Sequence, residues 1–175
     1  MKYVIGYVQI LLCSAVFADP GSHRSASETL AAFIGDWDME LVADKETFGD
    51  RGGAGSGAMS CEWGPMKAWV DCDMNSDYEG FGSYSLKIVL YSTGASDEYG
   101  AFVTNTFGGG RMYVGTWESE DKLVYRDAWI DPARKWEHQR TTYTFGEGGE
   151  LSYNIEVSKN GVDYLPHSRG VYRRK

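Results

Sequence analysis

The segment 71–80, DCDMNSDYEG, carries oxygen side chains at Asp71, Asp73, Asn75, Asp77 and Glu79, the alternate spacing with which a calcium loop surrounds its ion. Ser76 stands where such a loop needs glycine, and Gly82 where it needs a bidentate glutamate. Alternation along a β-strand produces the same spacing, so a solvated strand face is expected and no metal site. The glycine-rich run 49–57 lacks the Gly-Lys-Ser/Thr ending of a phosphate loop. It leads into a strand-like segment, where no helix N-terminus awaits an anion, and reads as a flexible loop at a barrel mouth. No serine sits in a Gly-x-Ser-x-Gly elbow. His138 and His167 could serve as a general base or haem ligand, but no motif surrounds either, which favours surface or packing roles. No catalytic residue and no cofactor is expected.

The cysteines carry a firmer signal. Residues 1–18, MKYVIGYVQILLCSAVFA, have a lysine near the start, an apolar run and small residues before Ala18, the pattern of a secretory signal peptide. Gly6 and Gln9 break the run, which falls short of the about 20 apolar residues of a spanning helix, so no stable membrane insertion is expected after cleavage. Leu12 is too bulky to precede a lipoprotein cysteine, and Cys13 is expected to leave with the signal. Residues 19–27 then read as a flexible tail and 28–175 as one domain, periplasmic or secreted. Only Cys61 and Cys72 remain, an even count that favours a disulfide in an oxidising compartment. A hairpin pairing Gly64 with Trp69 sets Cys61 opposite Cys72, where the Cβ atoms of an antiparallel pair adjoin. Two buried free thiols are the alternative; zinc lacks its four ligands.

Composition names the elements that must position these groups. A chain of 175 residues suits one well-buried domain. Its 17 Lys plus Arg against 25 Asp plus Glu, a net charge of -8, argue against nucleic acid as a partner. The 22 Gly, 12 Tyr, 7 Phe and 6 Trp suggest aromatic-rich strands joined by glycine turns. A short helix is expected over 25–33, with a Ser or Thr cap and Glu28 in its first turn. Strands are expected over 37–42, 57–63, 69–77, 84–92, 99–106, 112–118, 122–130, 137–145, 151–158 and 163–173. The fold class is therefore all-β: an up-and-down antiparallel β-barrel of about ten strands with a short N-terminal helix, closure removing the edges that would pair with other chains. Trp37, Met39 and Leu41 share one face, as do Leu151, Tyr153, Ile155 and Val157.

The aromatic set is the strongest functional hint. Trp37, Trp63, Trp69, Trp117, Trp129 and Trp136, with Tyr91, Tyr113, Tyr125, Tyr143, Tyr153 and Tyr172, would line a cavity for an apolar or amphipathic molecule. A solid core uses the same residues. Arg140 or Glu156 faces such a cavity if the barrel interior is semi-polar, and solvent otherwise.

Several short motifs carry a resemblance. Residues 30–37, LAAFIGDW, resemble the Gly-x-Trp opening of calycins. The order Gly-x-Trp-x-x-Glu at 35–40, Cys61-Glu62-Trp63, Gly115-Thr116-Trp117, Arg140 before a threonine-rich strand, Glu156 and a Tyr-Arg terminus is similar to the bacterial domain-of-unknown-function family numbered fifteen-seventy-nine, over about residues 28 to 175. The chain departs from that pattern at Ser92 and Thr93 and in its long glycine-rich loop. The resemblance implies a lipocalin-like barrel of no established activity, plugged at its base by Trp37, with Arg173 or Arg174 packed across that tryptophan. It also implies that Arg140 and Glu156, facing inward, anchor a ligand's polar end, with a structural ion pair as the equal alternative. The expected binding set is Arg140, Glu156, Trp117, Tyr172 and Trp63, and the expected partner is a small apolar or amphipathic ligand. An enzyme using a cavity carboxylate, a haem barrel and a filled-core interaction protein are the rival readings.

Overall fold

In a computed structural model, residues 25–95, 97–129 and 137–175 are described. The expected signal peptide, Cys13 and Trp136 lie outside them. Helix α1 (Ala26–Ala31) leads into β1 (Gly35–Ala43), a second helix α2 (Lys45–Phe48) and β2 (Gly53–Trp63). Then follow β3 (Trp69–Tyr78), β4 (Gly82–Ser92), β5 (Glu98–Asn105), β6 (Gly110–Ser119), β7 (Lys122–Trp129), β8 (His138–Phe145), β9 (Leu151–Ser158) and β10 (Leu165–Arg174). Each strand pairs antiparallel with its sequence neighbour, and β10 returns to β1 to close the barrel.

The helix expected over 25–33 forms over Ala26–Ala31 with its serine cap, so Ser25, Ala26 and Ser27 belong to it and the tail ends before them: the Ser25 side chain accepts from the Glu28 N–H while the Glu28 carboxylate accepts from the Ser25 N–H at 2.9 Å. This reciprocal pair satisfies two donors that a helix start otherwise leaves orphaned. The glycine-rich segment is a loop only at its start. From Gly53 onward it is strand, paired with β1 from Gly53 opposite Ala43 to Gly57 opposite Met39. Backbone ladder bonds override the weak strand propensity of glycine there.

The base of the barrel is plugged. Leu30 from α1, Phe33 from the turn that follows it and Trp37 from β1 are buried together, and the Phe33 ring meets Tyr143 and Phe145 edge-on at 5.3 and 5.6 Å. The Trp37 indole donates to the Phe33 carbonyl at 2.9 Å, and the Arg174 guanidinium lies 4.5 Å over the indole ring while donating to the Ala32 carbonyl at 3.1 Å. Arg174 thus packs across the tryptophan; Arg173 points outward and pairs with Glu40 at 2.7 Å. Thr29 and Tyr99 share a buried hydrogen bond of 3.0 Å beneath this cap.

The β2–β3 hairpin closes as the spacing implies. The Gly64 N–H donates to the Trp69 carbonyl, Cys61 stands opposite Cys72, and the two are joined by a disulfide with Cα atoms 4.1 Å apart. Along β3, Asp73, Asn75 and Asp77 face outward while Cys72, Met74, Ser76 and Tyr78 are buried. The calcium-like spacing is strand alternation. Among the described residues, no helix is long and apolar enough to cross a membrane.

Candidate functional site

Strand alternation turns about half of each strand inward, yet the interior is not filled. A cavity of about 740 Å³ opens at the end opposite α1, within the range of small-molecule sites. Its walls differ. Strands β3 to β5 contribute the largely aliphatic Met74, Leu86, Ile88, Leu90, Ala101 and Val103, with Tyr78 and Tyr84 at the mouth end. Strands β6 to β10 contribute Tyr113, Tyr125, Tyr143, Tyr153 and Tyr172, a phenolic one.

Glycines make room for these rings. Gly115 faces Tyr125, Gly170 faces Tyr153 and Gly55 faces Tyr78 across neighbouring strands. A Cβ added at each would fall 2.6 Å from the opposing tyrosine ring. The rings therefore lie back over bare backbone, where a side chain of any other residue would push them into the lumen.

A buried polar cluster borders the cavity. Arg111 follows Gly110 at the start of β6 and turns inward, only 3% exposed. Its Nη1 donates to Asp127 Oδ1 at 3.0 Å and to Gln139 Oε1 at 3.4 Å. The Gln139 N–H donates to the other Asp127 oxygen, and Gln139 Nε2 donates to Thr141 Oγ1 at 3.3 Å. Burial raises the Asp127 carboxyl above its ordinary range, and the Arg111 charge opposes that rise. Arg111, Gln139 and Thr141 all line the cavity.

Aromatic stacks frame the mouth. Phe48 of α2 stacks on Phe81 at 5.3 Å and on His167 at 4.6 Å, and Phe81 stacks on Tyr78 at 4.5 Å. Asp44 caps α2 through the Glu46 N–H and pairs with Arg169 at 3.2 Å, which ties the helix to β10. Across the rim, Phe107 at the β5–β6 turn stacks on Tyr84 at 5.4 Å while remaining 72% exposed. Below, burial raises Tyr125, Tyr153 and Tyr172 well above the usual phenol range and Tyr143 to about 12.

The expected site residues divide. Tyr172 lines the cavity floor. Arg140 and Glu156 do not line it: each neighbours inward residues, Gln139 and Thr141 on β8 and Ile155 and Val157 on β9, so both project from the outer face. There Arg140 Nε donates to Glu156 at 2.9 Å and the guanidinium lies 4.4 Å over Tyr164, the structural ion pair of the two readings. Trp117 and Trp63 sit at the plugged end, Trp117 5.3 Å from Phe145, and neither borders the cavity. His138 is outside it as well, whereas His167 is on its rim, with Nδ1 3.3 Å from Thr47 Oγ1. Arg111, Asp127 and Gln139 escaped sequence reasoning. The available signal was an arginine on the inward register of a strand that also turns Tyr113, Gly115 and Trp117 inward.

The fold and site define a closed ten-stranded antiparallel barrel that encloses a cavity open at one end. Among solved structures it is similar to the crystal structure of Rv2717c from M. tuberculosis, with a TM-score of 0.66 and 16% identity over 87% of this chain and 99% of that one. That likeness establishes the shared fold. No family model matches the chain, and no curated protein does.

Proposed function

We propose that this protein is an exported, lipocalin-like barrel, of the kind found in the domain-of-unknown-function family fifteen-seventy-nine, that binds a small apolar or amphipathic molecule in its lumen. The cavity of about 740 Å³ carries this reading, because a barrel serving only as a scaffold has no need of glycines that hold tyrosine rings back from its centre. The Cys61–Cys72 bridge and the signal-like N-terminal sequence support export. Native mass spectrometry of the mature protein from an exporting host, before and after denaturation, tests both parts. A small molecule lost on denaturation and a chain beginning after Ala18 are expected. A chain retaining residues 1–18, and uptake of no apolar probe by the purified protein, would refute them.

A haem reading has one supporting observation, the position of His167 on the rim. Titration with haemin distinguishes it: a Soret band that is lost in His167→Ala favours haem, and a spectrum of free haemin removes it.

A further inference from the structure

Two features of the lumen bear on which molecule it takes. The first is the charge balance of its polar end. Arg111 brings a cation into the cavity wall, but Asp127 lies against it at 3.0 Å, and both side chains are nearly inaccessible, at 4% and 3%. Both Asp127 oxygens already accept hydrogen bonds, one from Arg111 and one from the Gln139 backbone. An anionic ligand head at Arg111 would have to displace or face this carboxylate in a site too dry to screen it. Among the described lining residues the other arginine, Arg51, is exposed, where water and salt weaken its pull, and the chain as a whole carries -8. What the described residues of the cluster offer a ligand is hydrogen bonding without net charge, through the Gln139 amide and the Thr141 hydroxyl.

The second feature is shape. Seven of the described cavity-lining residues are tyrosines, and three of these rings are laid back over glycines. Aromatic side chains gain from offset or edge contacts with another ring beyond what buried area alone supplies. The largely aliphatic side chains of β3 to β5 line the rest of the wall.

We propose that the lumen selects uncharged, ring-bearing amphiphiles, molecules of two or more fused rings with a hydroxyl or carbonyl oxygen, and holds that oxygen at Gln139 and Thr141 beside the neutral Arg111–Asp127 pair. The proposal rests on the lumen being the binding site. It separates this barrel from one built for fatty-acid anions.

The test uses the intact mature protein at neutral pH, with 1-aminoanthracene as a fluorescent probe and three competitors: 2-naphthol, 2-naphthoate and 1-decanol. Naphthol is expected to displace the probe about tenfold more tightly than naphthoate, the scale of one uncompensated charge in a partly buried site, and more tightly than the chain alcohol. Asp127→Asn removes the balancing charge and is expected to shift the preference toward naphthoate by about tenfold. If that variant does not fold, the neutral replacement of the pair, Arg111→Met with Asp127→Leu, is expected to keep the preference for naphthol. Naphthoate binding more tightly than naphthol to the wild-type protein overturns neutral selection while leaving the binding role intact. Decanol binding more tightly than naphthol overturns ring selection. Failure of 1-aminoanthracene to enter at all overturns the binding role itself, and this inference with it.

Discussion

Gly115 stands directly across the β6–β7 ladder from Tyr125, so close that a single added carbon would meet the phenol ring at 2.6 Å. The glycine is required by packing, since the ring occupies the volume a side chain would need. Gly115→Val is expected to force Tyr125 into the lumen, costing about 1 to 3 kcal/mol as overpacking. Thermal unfolding and uptake of 1-aminoanthracene check it: the melting temperature falls and binding weakens together. A variant of unchanged stability and affinity would mean that the ring is not held where it lies.

The Cys61–Cys72 bridge closes a loop with a sequence separation of 11. Loop-closure entropy assigns such a bridge roughly 3 kcal/mol. Denaturant titration of Cys61→Ala with Cys72→Ala is expected to show that loss with a barrel spectrum preserved, because the surrounding ladder pairs the same residues without it.

At the plugged end, Arg174 clamps Trp37 and the last turn of α1. Arg174→Ala removes a stacking contact worth about 0.5 to 1 kcal/mol at an exposed site, together with the hydrogen bond to Ala32. Faster proteolysis near α1 with unchanged probe affinity is the expected outcome, since the clamp lies away from the cavity.

The Arg140–Glu156 and Arg111–Asp127 pairs should differ sharply in what their loss costs. Arg140→Ala breaks a half-exposed pair on the outer face, a change of about 0 to 1 kcal/mol with no effect on probe affinity. Arg111→Met strands a buried carboxylate and is expected to cost roughly 3 to 5 kcal/mol. Burial already raises Asp127, so the folded protein holds a proton that the unfolded chain releases. Stability from this group is therefore present at low pH and lost as pH rises from the unfolded value, about 3.9, through the raised folded one. Without Arg111 that loss should extend to higher pH, as unfolding curves measured across the acid range would show.

Alkali should unfold the barrel through its tyrosines. Burial raises Tyr143 to about 12 and Tyr125, Tyr153 and Tyr172 well above the ordinary phenol value. The unfolded chain releases these protons near pH 10 while the folded one retains them, so stability falls as pH climbs past about 10. Tyrosinate absorbance is expected to show a delayed step coincident with loss of the barrel's circular dichroism. A smooth titration near pH 10 in a folded protein would show that these rings are open to water.

Elements and their partners were legible because alternation and turn chemistry are local. Leu151, Tyr153 and Val157 declare one face of β9, and Gly64 before Trp69 sets the hairpin that brings Cys61 to Cys72. The resemblance of residues 30–37 to a calycin opening implied an arginine, Arg173 or Arg174, packed across Trp37, and in the structure the Arg174 guanidinium lies over that ring. What lies inside the barrel was not legible in this way. Arg140 and Arg111 look alike as strand residues; one faces solvent beside Glu156 and the other is buried against Asp127, a difference of one register step that sends a side chain to the opposite face. Trp63 and Trp117 were candidates for a cavity wall on residue type alone, and their places near strand ends put them at the plugged base.

The sequence by itself determined an all-β barrel of about ten strands and the β2–β3 hairpin that favours a Cys61–Cys72 disulfide, because period-two alternation and glycine turns act over a few residues. Only the tertiary structure decided that the interior is hollow and that Arg111 is buried against Asp127 beside it. Those properties depend on how side chains from strands far apart in sequence share a single enclosed volume, where a glycine on one strand makes room for a tyrosine on the next.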